Sequence, residues 1–422
     1  MPPVIGAGAG LSSLVAGHGR PIRWRGPRPL ADNLRVKSKV HPKYRTKYHV
    51  GDWPESGRHP HRDRLPAFAV DLPEPMRSST SCAWILDSGG AGRGAWQGGV
   101  LYELMQWTRR QGGYPAVVMG ASAGGYAAAD VATGTEATVL KGWSAWGADD
   151  MPRRYPLASF VANDWPRSRF RSHLHASIRY VMGEAELDGV FDDAGRRTLL
   201  VFTSRVRRLD GRQTGRADLV RLFAMAATRK LSRPLKYLPR YHLDPVVFAT
   251  NLPVALHSEF VRPLTRQNYH CVIEASCLVP LAMGPALSPA LLSPDGAHPD
   301  DASAIFVDGG FALKMPMATF EDDPRFHDLA RWAAAPRTVV CCCDPNGRLW
   351  ETSMRRRTLN AHPAVARALA DDTLLVIHPD HEVEAGFLCF DPAVIMRTFD
   401  RGRDQGRRLL ADEHLCRFLS GA

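Results

Sequence analysis

Leu86 to Leu101 reads LDSGGAGRGAWQGGVL, and a short way downstream Val117 to Asp130 reads VVMGASAGGYAAAD. Each stretch starts as a buried apolar run, passes through a glycine-rich turn and continues with helical patterning, so each predicts a strand, a sharp turn and a helix. A helix start presents backbone N–H groups without intrahelical partners at the positive end of the helix dipole, and both favour a negative charge. One of the two turns is suited to hold a nucleophile. The other is suited to hold the negative charge that the nucleophile's attack creates.

Working outward, CAWILDSG predicts the first strand, AWQGGVLYELMQWTRR a helix, AVVMGAS a second strand and AGGYAAADVATG a helix of small residues able to pack closely on a sheet. Alternating strands and helices predict an α/β fold whose mostly parallel sheet is covered on both faces. The stretch from about 142 to 250 is less regular and strongly basic, and reads as a variable insert or cap. Within it TLLVFTSRVRRLDGRQ predicts a hairpin or an edge strand. Farther on, VIEASCLVPLAMGPAL predicts a helix broken by proline, AIFVDGG, RTVVCCCD and TLLVIHPD predict strands, and MRTFDRGRDQGRRLLADEHLCRFL predicts a closing amphipathic helix. Residues 1–80 are rich in Pro, Gly and basic residues with little apolar periodicity, which predicts an extension with little regular structure before a domain at 81–422. His59 and His61 lie in that extension without a third ligand at metal-binding spacing, so no metal site is expected there.

The chain has 422 residues, ample for a large core, and its 45% hydrophobic and 23% charged residues are ordinary for a globular protein. No apolar run approaches the roughly 20 residues of a transmembrane helix. The N-terminus lacks the basic region of a signal peptide, so a cytoplasmic protein is expected, with peripheral membrane association as an option. Eight cysteines show neither a disulfide framework nor a C-x-x-C pattern and are expected to be buried, reduced thiols. The net charge of +11 suits an anionic surface, but no nucleic-acid-binding module is recognisable and nucleic acid is not expected as a partner. Protein partners are not readable. The segment Arg221 to His242 interleaves basic with apolar residues, as a solvated helix packed on the core would, or a cap that docks on anionic lipid.

Gly120, Ala121, Ser122, Ala123 and Gly124 form G-x-S-x-G between a predicted strand and helix, the arrangement that lifts a serine hydroxyl above a sheet edge. A serine needs a base. Two routes are open on the residues alone: His378 or His381 in IHPDH, or a carboxylate acting directly, for which FVDGGF offers Asp308 before two glycines. The turn Gly89, Gly90, Ala91, Gly92, Arg93 and Gly94 offers successive amides for an oxyanion, worth roughly 3 to 4 kcal/mol per key donor, and the Arg93 guanidinium adds positive potential. A nucleotide-binding loop fits poorly, since neither common phosphate-loop pattern lies on these residues.

Together these motifs resemble the patatin-like phospholipase family, which is marked by a glycine-rich oxyanion loop ending in Arg-Gly or Lys-Gly, a G-x-S-x-G nucleophile and a D-G-[GA] aspartate. The resemblance runs from about Trp84 to Leu410. It implies a three-layer α/β/α fold and a Ser122–Asp308 dyad without histidine. The oxyanion hole would be Gly89, Gly90, Ala91, Gly92 and Arg93. No metal or cofactor is implied. It further implies a lipid acyl hydrolase of phospholipase A or lysophospholipase type acting through an acyl-enzyme on lipid at an anionic membrane or micelle surface. The alternatives are a neutral-lipid esterase, an acyltransferase, or an inactive lipid-binding protein. Two positions depart from the family pattern. Ala91 stands where a third glycine is usual, which predicts a differently shaped turn because alanine resists positive φ, and Lys314 stands where asparagine is common.

Overall fold

The computed structural model describes residues 82–111, 113–146, 169–192, 197–228, 241–280, 283, 292, 301–353, 357–387 and 389–421. The expected N-terminal extension with His59 and His61 lies outside them, as do residues 229–240 of the basic segment.

The strands are β1 (Cys82–Leu86), β2 (Val117–Ala121), β3 (Thr198–Arg208), β4 (Tyr241–Ala249), β5 (Val261–Pro263), β6 (Ile305–Asp308), β7 (Arg337–Cys341) and β8 (Leu374–Ile377). They form one sheet in the order β5-β4-β3-β2-β1-β7-β8, with β6 paired to β3 off that path. β1, β2, β7, β8 and the first half of β3 run parallel, while β4 and β6 are antiparallel to β3. Alternation along the strands sends Trp84, Leu86, Val118 and Val201 to one face and Ala83, Ile85, Met119 and Phe202 to the other.

The described helices are α1 (Gly90–Arg110), α2 (Ala123–Ala132), α3 (Glu136–Trp146), α4 (Arg169–Val181), α5 (Glu184–Phe191), α6 (Arg216–Thr228), α7 (Tyr269–Cys277), α8 (Pro316–Asp322), α9 (His327–Ala333), α10 (Pro363–Ala370), α11 (Pro392–Leu409) and α12 (Glu413–Ser420). The core on the first face takes side chains from α1 to α5, α7, α11 and α12. The core on the second takes them from α8, α9 and α10. The result is a three-layer α/β/α arrangement around a mostly parallel sheet. α11 lies against α1 at backbone contact: a Cβ at Gly402 would stand 2.0 Å from Trp96 O, and one at Gly99 would stand 2.0 Å from Phe399 O.

Two readings of the sequence change. The expected hairpin or edge strand is β3, which sits inside the sheet and is buried from Leu199 to Val206. Its Arg205 is fully buried, with the charge met by Glu259 at 2.7 Å and Asp301 at 3.3 Å. The single closing helix is two, because the Asp412 carboxylate accepts from His414 N–H and starts α12 afresh.

Candidate active site

β3 is long enough to pair with two different strands along one edge. β2 runs beside its first half and ends with Ala121 opposite Phe202. β6 arrives antiparallel beside its second half and ends with Asp308 opposite Thr203. The two strands therefore meet end to end against adjacent residues of β3. Ser122, which follows β2, and Asp308, which ends β6, are brought together by that meeting.

Ser122 takes φ 57° and ψ −131°, a sparsely populated conformation for any residue with a side chain. It is buried, and the chain turns at once into α2. The glycine at the far side of the elbow is required by space: a Cβ at Gly124 would lie 2.2 Å from Leu86 O. α7 braces the strained residue from behind. Ser122 N–H donates to Ser276 Oγ at 3.0 Å, Ser276 Oγ donates to Phe202 O at 2.7 Å, and the Cys277 thiol donates to Ser122 O at 3.2 Å. The elbow is thereby tied to β3 through a single hydroxyl.

Asp308 is 2% exposed, and its Oδ1 accepts from Gly310 N–H at 2.9 Å. Its Oδ2 is buried without a well-formed hydrogen bond. Burial pushes the carboxyl up to about 7, against the Ser122 hydroxyl, the Gly310 amide and the Lys314 charge, which all favour the ionised form. The Ser122 hydroxyl thus lies beside the Asp308 carboxyl and favours its ionised form. Ser204 fastens the turn after Asp308 to β3: its hydroxyl lies 2.7 Å from Asp308 O and 3.1 Å from Gly309 O and accepts from Ala312 N–H.

The turn expected to hold an oxyanion is the first turn of α1, with Gly89 as its cap. The expected distortion at Ala91 does not occur. The positive φ, 67°, falls on Gly90, and Ala91 is helical, where alanine is favoured over glycine. Gly90, Ala91, Gly92 and Arg93 therefore present the unpaired N–H groups of a helix start. Gly90 and Ala91 line the same pocket as Ser122.

Behind this turn lies an ion pair that the sequence reading did not foresee. Lys314 Nζ is 2.9 Å from Asp87 Oδ1 and 3.2 Å from Oδ2, and the latter also accepts from Cys343 N–H at 3.0 Å. Burial opposes the lysine charge, but Asp87 outweighs it and holds the ammonium pKa above its ordinary value. Asp87 opens the glycine turn and Lys314 follows the Asp308 arm, so the pair links the two. All eight cysteines are free thiols, and burial holds those of Cys341, Cys342 and Cys343 well above the usual range.

Ser122 opens onto a pocket whose walls include Trp143, Leu174, Val279, Met283, Phe387 and Phe390. The lining is almost wholly apolar. No histidine lines it among the described residues. His378 follows β8, three strands from β2 and about 14 Å away at the usual strand spacing, and His381 pairs with Asp380 at the surface. The structure brings the sequence-predicted Ser122, Asp308 and glycine turn together, and sets beside them Asp87, Ser276, Cys277 and the pocket phenylalanines, which the sequence reading did not single out. Asp87 and Ser276 each lie within a quoted motif segment, LDSGG and EASC. The phenylalanines carry no local signal.

No curated protein matches the chain. Among solved structures, VipD from Legionella pneumophila is similar at a TM-score of 0.30 and 12% identity, over 79% of this chain and 67% of that one. The sequence model described as Patatin-like phospholipase matches residues 85–320, more than half of the chain, from β1 to α8. The protein therefore belongs to the patatin-like phospholipase family, a family of lipid acyl hydrolases.

Proposed function

We propose that the protein is a phospholipase A or lysophospholipase that cleaves carboxylic esters through a Ser122–Asp308 dyad. The observation that carries this reading is the end-to-end meeting of β2 and β6 on β3. It sets a strained serine and a buried carboxyl with a raised pKa face to face at the foot of an apolar pocket. Asp308 takes the hydroxyl proton as Ser122 Oγ attacks the ester carbonyl. The oxyanion is held by the amides of Gly89, Gly90, Ala91, Gly92 and Arg93, with the α1 dipole and the Arg93 charge behind them. The C–O bond to the alcohol then breaks, the alcohol leaves with the proton from Asp308, and water repeats the sequence on the acyl-enzyme to release the fatty acid. The pocket takes the acyl chain, since its lining among the described residues is mostly apolar. A net charge of +11 suits lipid presented at an anionic membrane or micelle surface.

A fluorophosphonate probe and a soluble short-chain ester test the dyad together. The wild type should be labelled and active, while Ser122→Ala and Asp308→Asn should lose hydrolysis by roughly three orders of magnitude or more. His378→Ala and His381→Ala should stay within about tenfold of wild type. Loss of activity in a folded histidine variant, or an unlabelled wild type, rejects the dyad.

A further inference from the structure

The family match ends at residue 320, yet one wall of the Ser122 pocket comes from beyond it, from Phe387 and Phe390. The two rings differ. Phe390 is 1% exposed and fixed in the core, whereas Phe387 is 41% exposed and stands where the pocket meets solvent. The loop that carries Phe387 is seated on the first turn of α1. A Cβ at Gly90 would lie 2.4 Å from Phe387 O and 2.5 Å from its ring, and one at Gly92 would lie 2.2 Å from Gly386 O. The left-handed Gly90 is thus the seat of the Phe387 ring as well as a candidate oxyanion donor.

The loop is held from its other side. Glu384 pairs with Arg397 at 2.7 Å and Arg401 at 3.4 Å, and Asp380 pairs with Arg408 at 2.7 Å, all on α11. α11 in turn lies against α1 at Gly99 and Gly402. The mouth of the pocket therefore keeps a defined position relative to Ser122. An acyl chain longer than the enclosed space that leaves on this side passes the half-exposed ring.

We propose that Phe387 is the specificity-determining residue for acyl-chain length. This rests on Ser122 as the nucleophile at the pocket's foot. Alanine at 387 opens the mouth and admits longer chains, and tryptophan closes it further. One methylene accommodated or refused in an apolar site is worth a severalfold change in selectivity.

The test compares kcat/KM for p-nitrophenyl butyrate, octanoate and palmitate in the wild type, Phe387→Ala, Phe387→Trp and Ser122→Ala. The palmitate-to-butyrate ratio should rise by about fivefold or more in Phe387→Ala and fall by a similar factor in Phe387→Trp. If Ser122→Ala is inactive and the ratio is unchanged in both Phe387 variants, the ring is packing only and the proposal is overturned. If Ser122→Ala hydrolyses all three esters as the wild type does, the nucleophile assignment falls and takes the proposal with it. A loss of fold lowers the three esters alike, so circular dichroism of each Phe387 variant distinguishes it from a folded variant whose ratio is unchanged.

Discussion

A carboxyl raised to about 7 in a dry site is poised to exchange a proton near neutrality, and Asp308 gets there by burial against modest opposition. The proposed role as base requires it to be ionised. We therefore expect kcat/KM for a soluble ester to rise tenfold per pH unit below about 7 and to level off above it. A profile flat from pH 5 to pH 8 would show that the ionisation of Asp308 does not govern the rate. The same shift bears on stability. In the unfolded chain the carboxyl ionises near the ordinary 3.8, so between there and about 7 folding takes up a proton and stability falls as pH rises. Asp308→Asn should melt higher than the wild type at pH 8 and lose that advantage near pH 4, as calorimetry can check. Residue chemistry of this kind was legible only in part. G-x-S-x-G and D-G-G marked Ser122 and Asp308, because both positions need glycine neighbours: a Cβ at Gly309 would stand 2.0 Å from Phe202 O. Asp87 lies in the LDSGG segment, but its role there was not legible, because its partner Lys314 is more than half the chain away in sequence.

That ion pair belongs to the scale of elements, since it ties the start of α1 to the arm that follows β6. A buried charge left without its partner costs roughly 3–5 kcal/mol, whereas replacing both partners with neutral groups costs far less. Lys314→Met should accordingly lower the melting temperature by several degrees, and adding Asp87→Asn should restore much of the loss. If the double variant is as unstable as the two singles combined, Asp87 and Lys314 do not act as a pair. The reading of β3 failed at this scale. Its Arg205 is neutralised by Asp301, Glu259 and Asp244, which come from elsewhere in the chain. By contrast β1, β2, β7 and β8 were legible because strands of a parallel sheet read as short continuous apolar runs.

At the scale of the molecule, the part matched by the family carries Ser122, Asp308 and the glycine turn, and Phe387 and Phe390 beyond it line the pocket. The two are joined where α11 crosses α1, so a side chain at Gly402 should be felt at both ends. Gly402→Val should destabilise the fold by about 2 kcal/mol or more and lower ester hydrolysis with it, measured by denaturant titration and initial rates. Wild-type stability in that variant would mean the crossing has room that the distances deny. Among the described residues no helix is long and apolar enough to cross a membrane. The meeting of β2 and β6 on β3 also sets an order of events in folding. Ser122 and Asp308 stand nearly half the chain apart, and a slip of β6 by one residue would turn the Asp308 side chain to the other face of the sheet. Contacts between such distant segments are slow to form. Return of hydrolysis after dilution from denaturant should therefore trail the return of helical circular dichroism, making catalysis a late clock for the chain's assembly.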